Sequence, residues 1–408
     1  MADARLKRVL GLAECIFFAV GVIVGAGIYA VIGEAAAFAG NMLWLAFLAA
    51  SLTAVLTALA YAELVAMYPR SGGEYVYARA AVGERLAVAL GLLMALNGVV
   101  SGSTIALAFA GYLAQLVVVP HLVAVASVVA VLAAVNTAGI RHSSITNIVL
   151  TTLEIGGLVF VVVAAAPAIG QVDLLLWPAE GITGLCTAAA LSFFAYIGFE
   201  DVVKLAEETK APERTIPRAL LIATAIVTVI YLVVAISAIS SVPAAELRAG
   251  HSPMAAIVGP HYGRAGVIAI SVLALFSTAN SILSNMMGSS RVLLGMGRDR
   301  PRLEALGRVA KRTGTPVRAL LLVAGLMIAF SLIGDLKTVA LVSNLFIFLT
   351  FILVNACVIA LRIRQPDVPR PFRIPGSVRN VPVISVLAIT LLLTLLGFCI
   401  RGLVVSGS

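Results

Sequence analysis

The sequence predicts an all-α polytopic membrane protein with eleven transmembrane helices. Of its 408 residues, 61% are hydrophobic and only 12% are charged, about half the charged share of a typical soluble domain. The apolar residues lie in long blocks, many of them about 20 residues, which is the length of a helix that crosses a bilayer. Short polar segments separate these blocks, so the chain is expected to cross the membrane repeatedly.

The eleven predicted spans are the apolar blocks between these polar segments. They lie at roughly 13–38, 42–67, 84–118, 121–138, 145–166, 182–206, 217–241, 264–297, 316–333, 338–362 and 381–404.

The distribution of basic residues predicts the orientation of these spans. With a cytoplasmic N-terminus, the outer segments hold only four of the 28 Lys and Arg residues, namely Arg248, Arg264, Lys337 and Arg401. The other cations cluster at 204–218, 297–318, 362–379 and beside other inner loops. This asymmetry predicts a cytoplasmic N-terminus and an extracytoplasmic C-terminus. The net charge of +9 is therefore juxtamembrane charge, and a nucleic-acid partner is not expected.

Glycines interrupt the first span in the stretch GVIVGAGIYAVIG, residues 21–33. Glycine costs about 1 kcal/mol relative to alanine inside a helix. We expect Gly25 and Gly27 to break the helix, whereas Gly21 and Gly33 fit close helix packing at least as well.

A second glycine interrupts the sixth span, in SFFAYIGFE at residues 192–200. Gly198 is followed closely by Glu200 and Asp201, and acidic side chains near the bilayer interior are costly unless they face water or a partner. Two spans, the first and the sixth, are therefore predicted to be broken.

The two broken spans begin units of similar layout. The polar insertion 68–84 between spans 2 and 3 is matched by 242–263 between spans 7 and 8. Five spans per unit is an odd number, so the second unit would enter from the opposite face, the inverted repeat of many secondary transporters. This layout divides the chain into a first repeat at 1–170, a second at 171–365, and a linker with the last span at 366–408.

Broken helices expose backbone groups that can bind a small zwitterion. Freed N–H groups and the positive end of a half-helix can bind a carboxylate, while freed C=O groups can bind an ammonium or a cation. Backbone unwound at membrane depth is tolerated only around a cavity or within protein.

Other classes of protein find less support in the sequence. No CxxC pair, HExxH motif or Walker loop is present, and the histidines at 121, 142, 251 and 261 have no ligand spacing. We therefore expect no enzyme activity, no cofactor and no metal site. A channel would need a continuous polar lining, and a membrane sensor that retains the fold would usually carry a soluble output domain.

Five stretches in order resemble the amino acid–polyamine–organocation transporter family. They are GVIVGAGIY, YAELVAMYPRSGGEYVYARAAVGE, FFAYIGFE, LAEETKAPERTIPRAL and FSTANSILSNMMGSSRVLLGMGRD. The resemblance implies a leucine-transporter-type fold, with ten core helices in a 5+5 inverted repeat, broken helices 1 and 6, and here one extra C-terminal helix. It also implies alternating access, in which helices 1, 2, 6 and 7 rock against 3, 4, 8 and 9.

The resemblance also implies an amino acid site at the two breaks. Backbone N–H groups around Ala26 and Gly27 would hold the carboxylate, and carbonyls of Ile23, Phe194 and Ile197 would hold the ammonium. Ser101 and Ser103 on the third helix would touch the substrate side chain. The remaining members of the implied site are backbone neighbours of the breaks: Gly25, Ile28, Ala195 and Gly198.

A glutamate replaces the lysine that sodium-independent relatives often carry on the fifth helix. Glu154 is the matching position, with the Gly21 carbonyl and the Ser277 and Thr278 hydroxyls as expected neighbours. Such a carboxyl can be protonated and donate to a carbonyl, or it can bind a cation such as Na⁺. We expect Glu154 to couple transport to H⁺ in preference to Na⁺; a purely structural hydrogen bond is the alternative. Glu200 is a second proton-site candidate, or else a capping contact at the break.

The expected activity is secondary active transport of a neutral amino acid, with no obligatory protein partner. An amino acid exchanger without net ion coupling and a Na⁺ symporter are the alternatives. The preference for a neutral substrate comes from the small, weakly polar stretch 97–111 near the implied site. The excess of Arg over Lys and the abundance of Ala and Val suggest the plasma membrane of a prokaryote.

Overall fold

The computed structural model describes residues 6–249, 253–332 and 336–406, apart from the side chains of 26, 30, 249, 336–344 and 402–406. The α-helices in this part of the chain are α1 (Leu12–Ala39), α2 (Leu43–Met67), α3 (Glu74–Ala81), α4 (Glu84–Ala114), α5 (His121–Ala138), α6 (Ile140–Ala165), α7 (Gly181–Phe193), α8 (Pro212–Ser241), α9 (Ala244–Ala249), α10 (Pro253–Asp299), α11 (Val317–Ser331), α12 (Leu336–Arg364) and α13 (Val383–Ser406). Short 3₁₀ helices occupy Gly40–Met42, Ala166–Ala168, Phe194–Tyr196, Phe199–Glu208 and Pro301–Leu303.

Ten helical segments of the described chain are long and apolar enough to span a membrane, which confirms an all-α polytopic membrane protein. The predicted span 316–333 corresponds to α11, an apolar helix of 15 residues. At 1.5 Å per residue α11 is about 22 Å long, shorter than a bilayer core of about 30 Å. The count of eleven spans therefore stays a prediction.

Several helices begin earlier than predicted. Gly139, with φ 126°, separates α5 from α6 by one residue, so α6 begins at Ile140 and not near 145. α8 begins at Pro212. Proline fits the first turn of a helix because the backbone N–H groups there have no partner within the helix, so the missing N–H of proline costs nothing. α10 begins at Pro253 because a short surface helix continues into the span through a kink at Gly263, where φ is 55°.

The long connections contain structure of their own. The insertion 68–84 carries α3, whose first residue is Glu74, and the insertion 242–263 carries α9 and the start of α10. Between α12 and α13, Ser377–Val378 and Val381–Pro382 form a two-stranded antiparallel hairpin. Its turn residues Arg379 and Asn380 both have positive φ, as a tight two-residue hairpin turn requires.

α10 lies at the centre of the bundle and packs against α1, α4 and α6, while α2 packs against α7 and α8. Small residues permit the close approaches. A Cβ on Gly98 of α4 would lie 2.1 Å from the Ser289 Oγ, and one on Gly102 would lie 2.3 Å from the Met327 Cε. This is the small-residue packing that holds helices together in membranes.

The basic loops meet at one end of the bundle, which we call the basic end. There Leu10 N donates to Glu208 O at 3.0 Å and Lys210 N donates to Leu10 O at 2.8 Å. Tyr68 donates to Gln365, and Lys7 donates to the carbonyl of Arg312. The N-terminal segment, the loop before α8 and the loops after α2, α10 and α12 therefore share one end.

The opposite end carries the loops around 40, 170 and 245. Trp44 Nε1 donates to Leu174 O at 3.0 Å, and the exposed pair Arg248–Glu34 joins α9 to α1.

Candidate functional site

The first helix leaves helical geometry at Gly25, where φ is −14° and ψ is −157°. Neighbouring groups fill the space that side chains would need at this point. A Cβ on Gly25 would lie 2.3 Å from the Ser281 Oγ, and one on Gly27 would lie 3.0 Å from the Ala195 Cα. These glycines therefore let α10 and the sixth span approach the broken backbone.

The sixth span breaks immediately after α7. Phe194–Tyr196 form a 3₁₀ turn, Ile197 is extended, and Gly198 has φ 120° before the chain resumes as the 3₁₀ helix Phe199–Glu208. We call Phe199–Glu208 the 3₁₀ segment. It replaces the α-helical second half that the family resemblance implies.

The two breaks lie against each other. A Cβ on Gly198 would lie 3.1 Å from the Val22 carbonyl oxygen, so the backbones are in direct contact. The structure thus brings together the predicted residues Ile23, Gly25, Gly27 and Ile28 of α1 with Phe194, Ala195, Ile197 and Gly198. The backbone of Ala26 belongs to the same stretch, and its side chain lies outside the description.

A tyrosine of α8 bridges the two breaks. The Tyr231 hydroxyl lies 2.7 Å from the Ile23 carbonyl oxygen and 2.9 Å from the Ala195 carbonyl oxygen, and it can donate its one proton to either. The Ile23 carbonyl, expected for the substrate ammonium, therefore shares this donor with the Ala195 carbonyl. Sequence reasoning did not include Tyr231. Its one signal was a phenol within the stretch 225–236, which is otherwise aliphatic apart from Thr228.

The two serines expected on the third span, here α4, differ in their surroundings. Ser103 is buried and donates to the carbonyls of Val99 at 2.7 Å and Val100 at 3.1 Å. Its hydroxyl proton is thus used within its own helix, and a contact with the substrate stays a prediction. Ser101 is half-buried on the same helix.

Glu154 of α6 is fully buried between α6 and α10. It accepts a hydrogen bond from Ser277 and a second from Asn280 Nδ2, 3.3 Å from Oε2. Both donors are neutral, so no positive charge offsets an ionised carboxylate within this hydrogen-bond set. A buried carboxylate is costly unless it is paired with a positive charge or coordinates a metal.

Two other neighbours expected for Glu154, Thr278 and Gly21, make contacts of their own. The Thr278 hydroxyl donates to Ala274 O at 2.8 Å and Leu275 O at 3.0 Å, so its proton is used within α10. The reason is that a threonine in a helix readily satisfies its hydroxyl on a carbonyl of the preceding turn. Gly21 faces Thr151 and Asn280. A Cβ added to Gly21 would lie 1.9 Å from the Thr151 Oγ1 and 2.6 Å from the Asn280 Nδ2.

An amide network that sequence reasoning missed extends the Glu154 site. Asn280 also donates to Thr151 at 3.0 Å and accepts from Asn147 Nδ2 at 2.8 Å, and all three residues are buried. Asn147, Thr151 and Glu154 follow each other at helical spacing on one face of α6. That polar stripe was the available signal for the network.

Glu200 lies at the second break. Its Oε2 accepts a hydrogen bond from Gly198 N at 2.8 Å, which is a capping contact across the break, and its side chain is buried. Within residues 6–249, 253–332 and 336–406, no three His, Cys, Asp or Glu side chains come close enough to hold a metal ion. His251 lies outside the described residues.

Comparison with known proteins assigns the chain to a family. A family model described as amino acid permease matches residues 10–406. The branched-chain amino acid permease of Bacillus subtilis is 28% identical over 422 residues, covering 97% of this chain and 88% of the relative. A transporter of Mycobacterium bovis is 32% identical over 380 residues, covering 91% and 83%.

A third relative carries a different substrate in its name. The methylthioribose transporter of Bacillus subtilis is 27% identical over 404 residues, which cover 93% of this chain and 86% of that protein. Each of these relatives is similar over nearly its whole length, and each is named as a permease or a transporter. The chain is a multi-pass membrane transporter and belongs to the amino acid permease family.

Proposed function

We propose that the protein is a secondary active transporter of neutral amino acids that works by alternating access. The observation that carries this proposal is the contact between two unwound helices, where Gly27 lies against Ala195 and Gly198 against Val22. Backbone N–H groups around Ala26 and Gly27 would bind the substrate carboxylate, and the carbonyls of Phe194 and Ile197 would bind its ammonium. Tyr231 would hold the two breaks together in the arrangement that binds the substrate.

The neutral substrate rests on the charges near the breaks. Two acidic side chains follow the second break: the Glu200 Oε2 accepts from the Gly198 N–H, and Asp201 pairs with Lys204. A cationic substrate side chain would need a further, unpaired negative group in this region. The similarity to a permease named for branched-chain amino acids supports a neutral, aliphatic substrate.

Glu154 is the proposed coupling group, and H⁺ the proposed coupling ion. Ser277 and Asn280 are neutral hydrogen-bond donors that do not compensate a buried negative charge, so binding a proton would stabilise the site. A sodium ion would need several oxygen ligands around it. The Thr278 hydroxyl donates within its own helix and keeps its oxygen lone pairs, so the preference for the proton rests on the neutral donors of Glu154.

The membrane arrangement is part of the same proposal. We place eleven spans in the membrane, with an inverted repeat of residues 1–170 and 171–365 and one extra span in 366–408. The gathering of the basic loops at one end supports a cytoplasmic basic end, hence a cytoplasmic N-terminus and an extracytoplasmic C-terminus. The proposed location is the plasma membrane of a prokaryote, and no obligatory protein partner is proposed.

Uptake into proteoliposomes tests the function. Radiolabelled leucine, alanine, lysine and methylthioribose are offered with an inward proton gradient, an inward sodium gradient, or neither. We expect leucine or alanine to accumulate with the proton gradient. Stimulation by sodium would overturn proton coupling, and uptake only into preloaded vesicles would make the protein an exchanger.

The role of Glu154 is tested in the same vesicles. Glu154→Gln keeps the size and the hydrogen-bonding capacity of the side chain but cannot bind a proton. We expect it to lose the stimulation by the proton gradient and to retain exchange of leucine for leucine. Glu34→Gln, at an exposed position of the opposite end, is the matched control. Gradient-driven uptake by Glu154→Gln would refute the coupling role.

A further inference from the structure

A buried cluster of charged groups adjoins the second break and shares Glu200 with the site described above. Glu74 begins α3, and Glu200, Asp201 and Lys204 belong to the 3₁₀ segment. Their exposed fractions are 0%, 3%, 7% and 4%, so all four are removed from water. The cluster holds three carboxyl groups and one ammonium group. If every group were ionised, it would carry an uncompensated charge of two negatives inside the protein.

The hydrogen bonds show which carboxyl lacks compensation. Lys204 Nζ pairs with Asp201 Oδ1, and Glu200 accepts from the Gly198 N–H. Glu74 Oε1 lies 3.0 Å from the Tyr61 hydroxyl. Glu74 Oε2 is buried and has no hydrogen-bond partner among the described residues.

An ionised Glu74 would be poorly stabilised in this arrangement. A charged oxygen buried without a donor costs several kcal/mol, and a neutral carboxyl avoids most of that cost. The Tyr61 hydroxyl can donate to an ionised Glu74 or accept from a protonated one. Burial raises the pKa of Glu74; the nearby Lys204 ammonium and the Tyr61 hydrogen bond oppose that rise, and the Asp201 carboxylate adds to it.

Glu74 also lies where two moving parts would separate. α3 rests on the 3₁₀ segment, because a Cβ on Gly73 would lie 3.1 Å from the Lys204 Cγ. The 3₁₀ segment is in turn fixed to α10 by Arg291–Glu208 and Arg298–Glu207. Opening the basic end would part these elements and admit water to Glu74.

We propose that Glu74 is a second proton-binding site, protonated while the basic end is closed and ionised when that end opens. The groups that face it are Tyr61 of α2, Tyr77 of α3, and Glu200, Asp201 and Lys204 of the 3₁₀ segment. The proposal needs the chain to be a transporter that opens at its basic end, and it does not depend on Glu154.

The proposal predicts the direction in which pH shifts the equilibrium between the closed and open states. The closed state binds one proton more than the open state, so raising the pH favours opening. One proton changes the equilibrium at most tenfold per pH unit.

Cys15 provides a natural reporter of opening. It is fully buried at the basic end, and its Sγ lies 3.6 Å from the Thr209 Oγ1, beneath the contact of the N-terminal segment with 208–210. In a background with Cys186, Cys357 and Cys399 replaced by alanine, N-ethylmaleimide labelling of Cys15 in proteoliposomes measures exposure. At each pH the labelling rate of the protein with Glu74 is divided by that of Glu74→Gln. Both proteins carry the same Cys15, so the effect of pH on the thiol itself cancels in this ratio.

We expect the ratio of the rate with Glu74 to the rate with Glu74→Gln to rise with pH, by up to tenfold per unit. Glu34→Gln should behave as the parent does. Parallel pH profiles for the parent and Glu74→Gln would overturn the proposal. If Glu74→Gln does not fold, Glu74→Asp serves instead, and a pH midpoint identical to that of the parent would count against Glu74.

A second comparison separates this site from the Glu154 site. Glu154→Gln should keep the pH dependence of Cys15 labelling while it loses proton-driven uptake. Loss of both properties in Glu154→Gln would assign the pH dependence to Glu154 and overturn the role of Glu74. If the parent shows no proton-driven uptake, the proposed coupling fails, yet the labelling ratio still tests Glu74.

Discussion

Arg291 of α10 and Glu208 at the end of the 3₁₀ segment form a fully buried ion pair. The Arg291 Nη2 lies 2.9 Å from Oε1, and its Nε lies 3.2 Å from Oε2. Their side chains are 1% and 0% exposed. Two charges buried together in this way tie the segment after the second break to the central helix of the bundle.

Removing one partner of this pair should be strongly destabilising. Arg291→Met leaves Glu208 buried without its cation, at a cost of about 3–5 kcal/mol. The double variant Arg291→Met with Glu208→Met should recover most of that loss, because no unpaired charge remains. Thermal unfolding of the detergent-solubilised protein measures both. Arg248→Met, in the exposed pair with Glu34, should change stability by less than about 1 kcal/mol. Equal losses in the single and double variants would contradict this account.

Tyr231→Phe should weaken transport because it removes the hydroxyl that contacts Ile23 O and Ala195 O. Loss of a buried hydrogen bond costs about 1–2 kcal/mol, so KM for leucine should rise roughly 5- to 30-fold. Tyr262→Phe is the control, since that ring packs on Phe160 and is 47% exposed. An unchanged KM in Tyr231→Phe would show that the bridge between the breaks does not shape the site.

Gly198→Ala should disrupt the second break. Gly198 has φ 120°, and an added Cβ would lie 2.6 Å from the Val22 Cγ1. We expect a loss of about 1–3 kcal/mol of stability from the backbone conformation alone, and loss of leucine uptake. Gly111→Ala in α4, where no atom lies within 4 Å of the added carbon, should be neutral or stabilising. Normal uptake by Gly198→Ala would mean that the break does not need this geometry.

Glu63→Gln should loosen the linker between α12 and α13. Glu63 accepts from Arg362 Nη2 at 2.5 Å and from Ile374 N at 2.8 Å, which fixes the linker to α2. About 1.4 kcal/mol of lost local stability would raise the opened population tenfold. Trypsin cleavage at the exposed Arg373 and Arg379 should therefore accelerate by about that factor, while Glu34→Gln leaves it unchanged. Equal cleavage rates in the parent and in Glu63→Gln would show that Glu63 does not hold the linker in place.

Periodicity and composition predicted much of the fold because they reflect local physics. A bilayer demands about 20 apolar residues per span, so α2 and α5 could be placed within a residue or two from sequence. The starts of α6, α8 and α10 could not, since Ile140, Pro212 and Pro253 begin helices outside the apolar blocks. There, backbone hydrogen bonding and the turn at Gly139 decide the boundary.

The sequence by itself determined that this is a membrane transporter and where two of its spans break. The apolar blocks mark the spans, and a glycine inside such a block weakens the helix at that position. The structure decided which distant groups meet. Tyr231 reaches Ile23 across 208 residues, and Asn280 reaches Glu154 across 126. Likewise, only packing places the Lys204–Asp201 pair near Glu74 and leaves Glu74 with an unpaired oxygen. Hydrogen bonds and charge pairs between helices depend on how the helices rotate and pack, which no local pattern in the chain encodes.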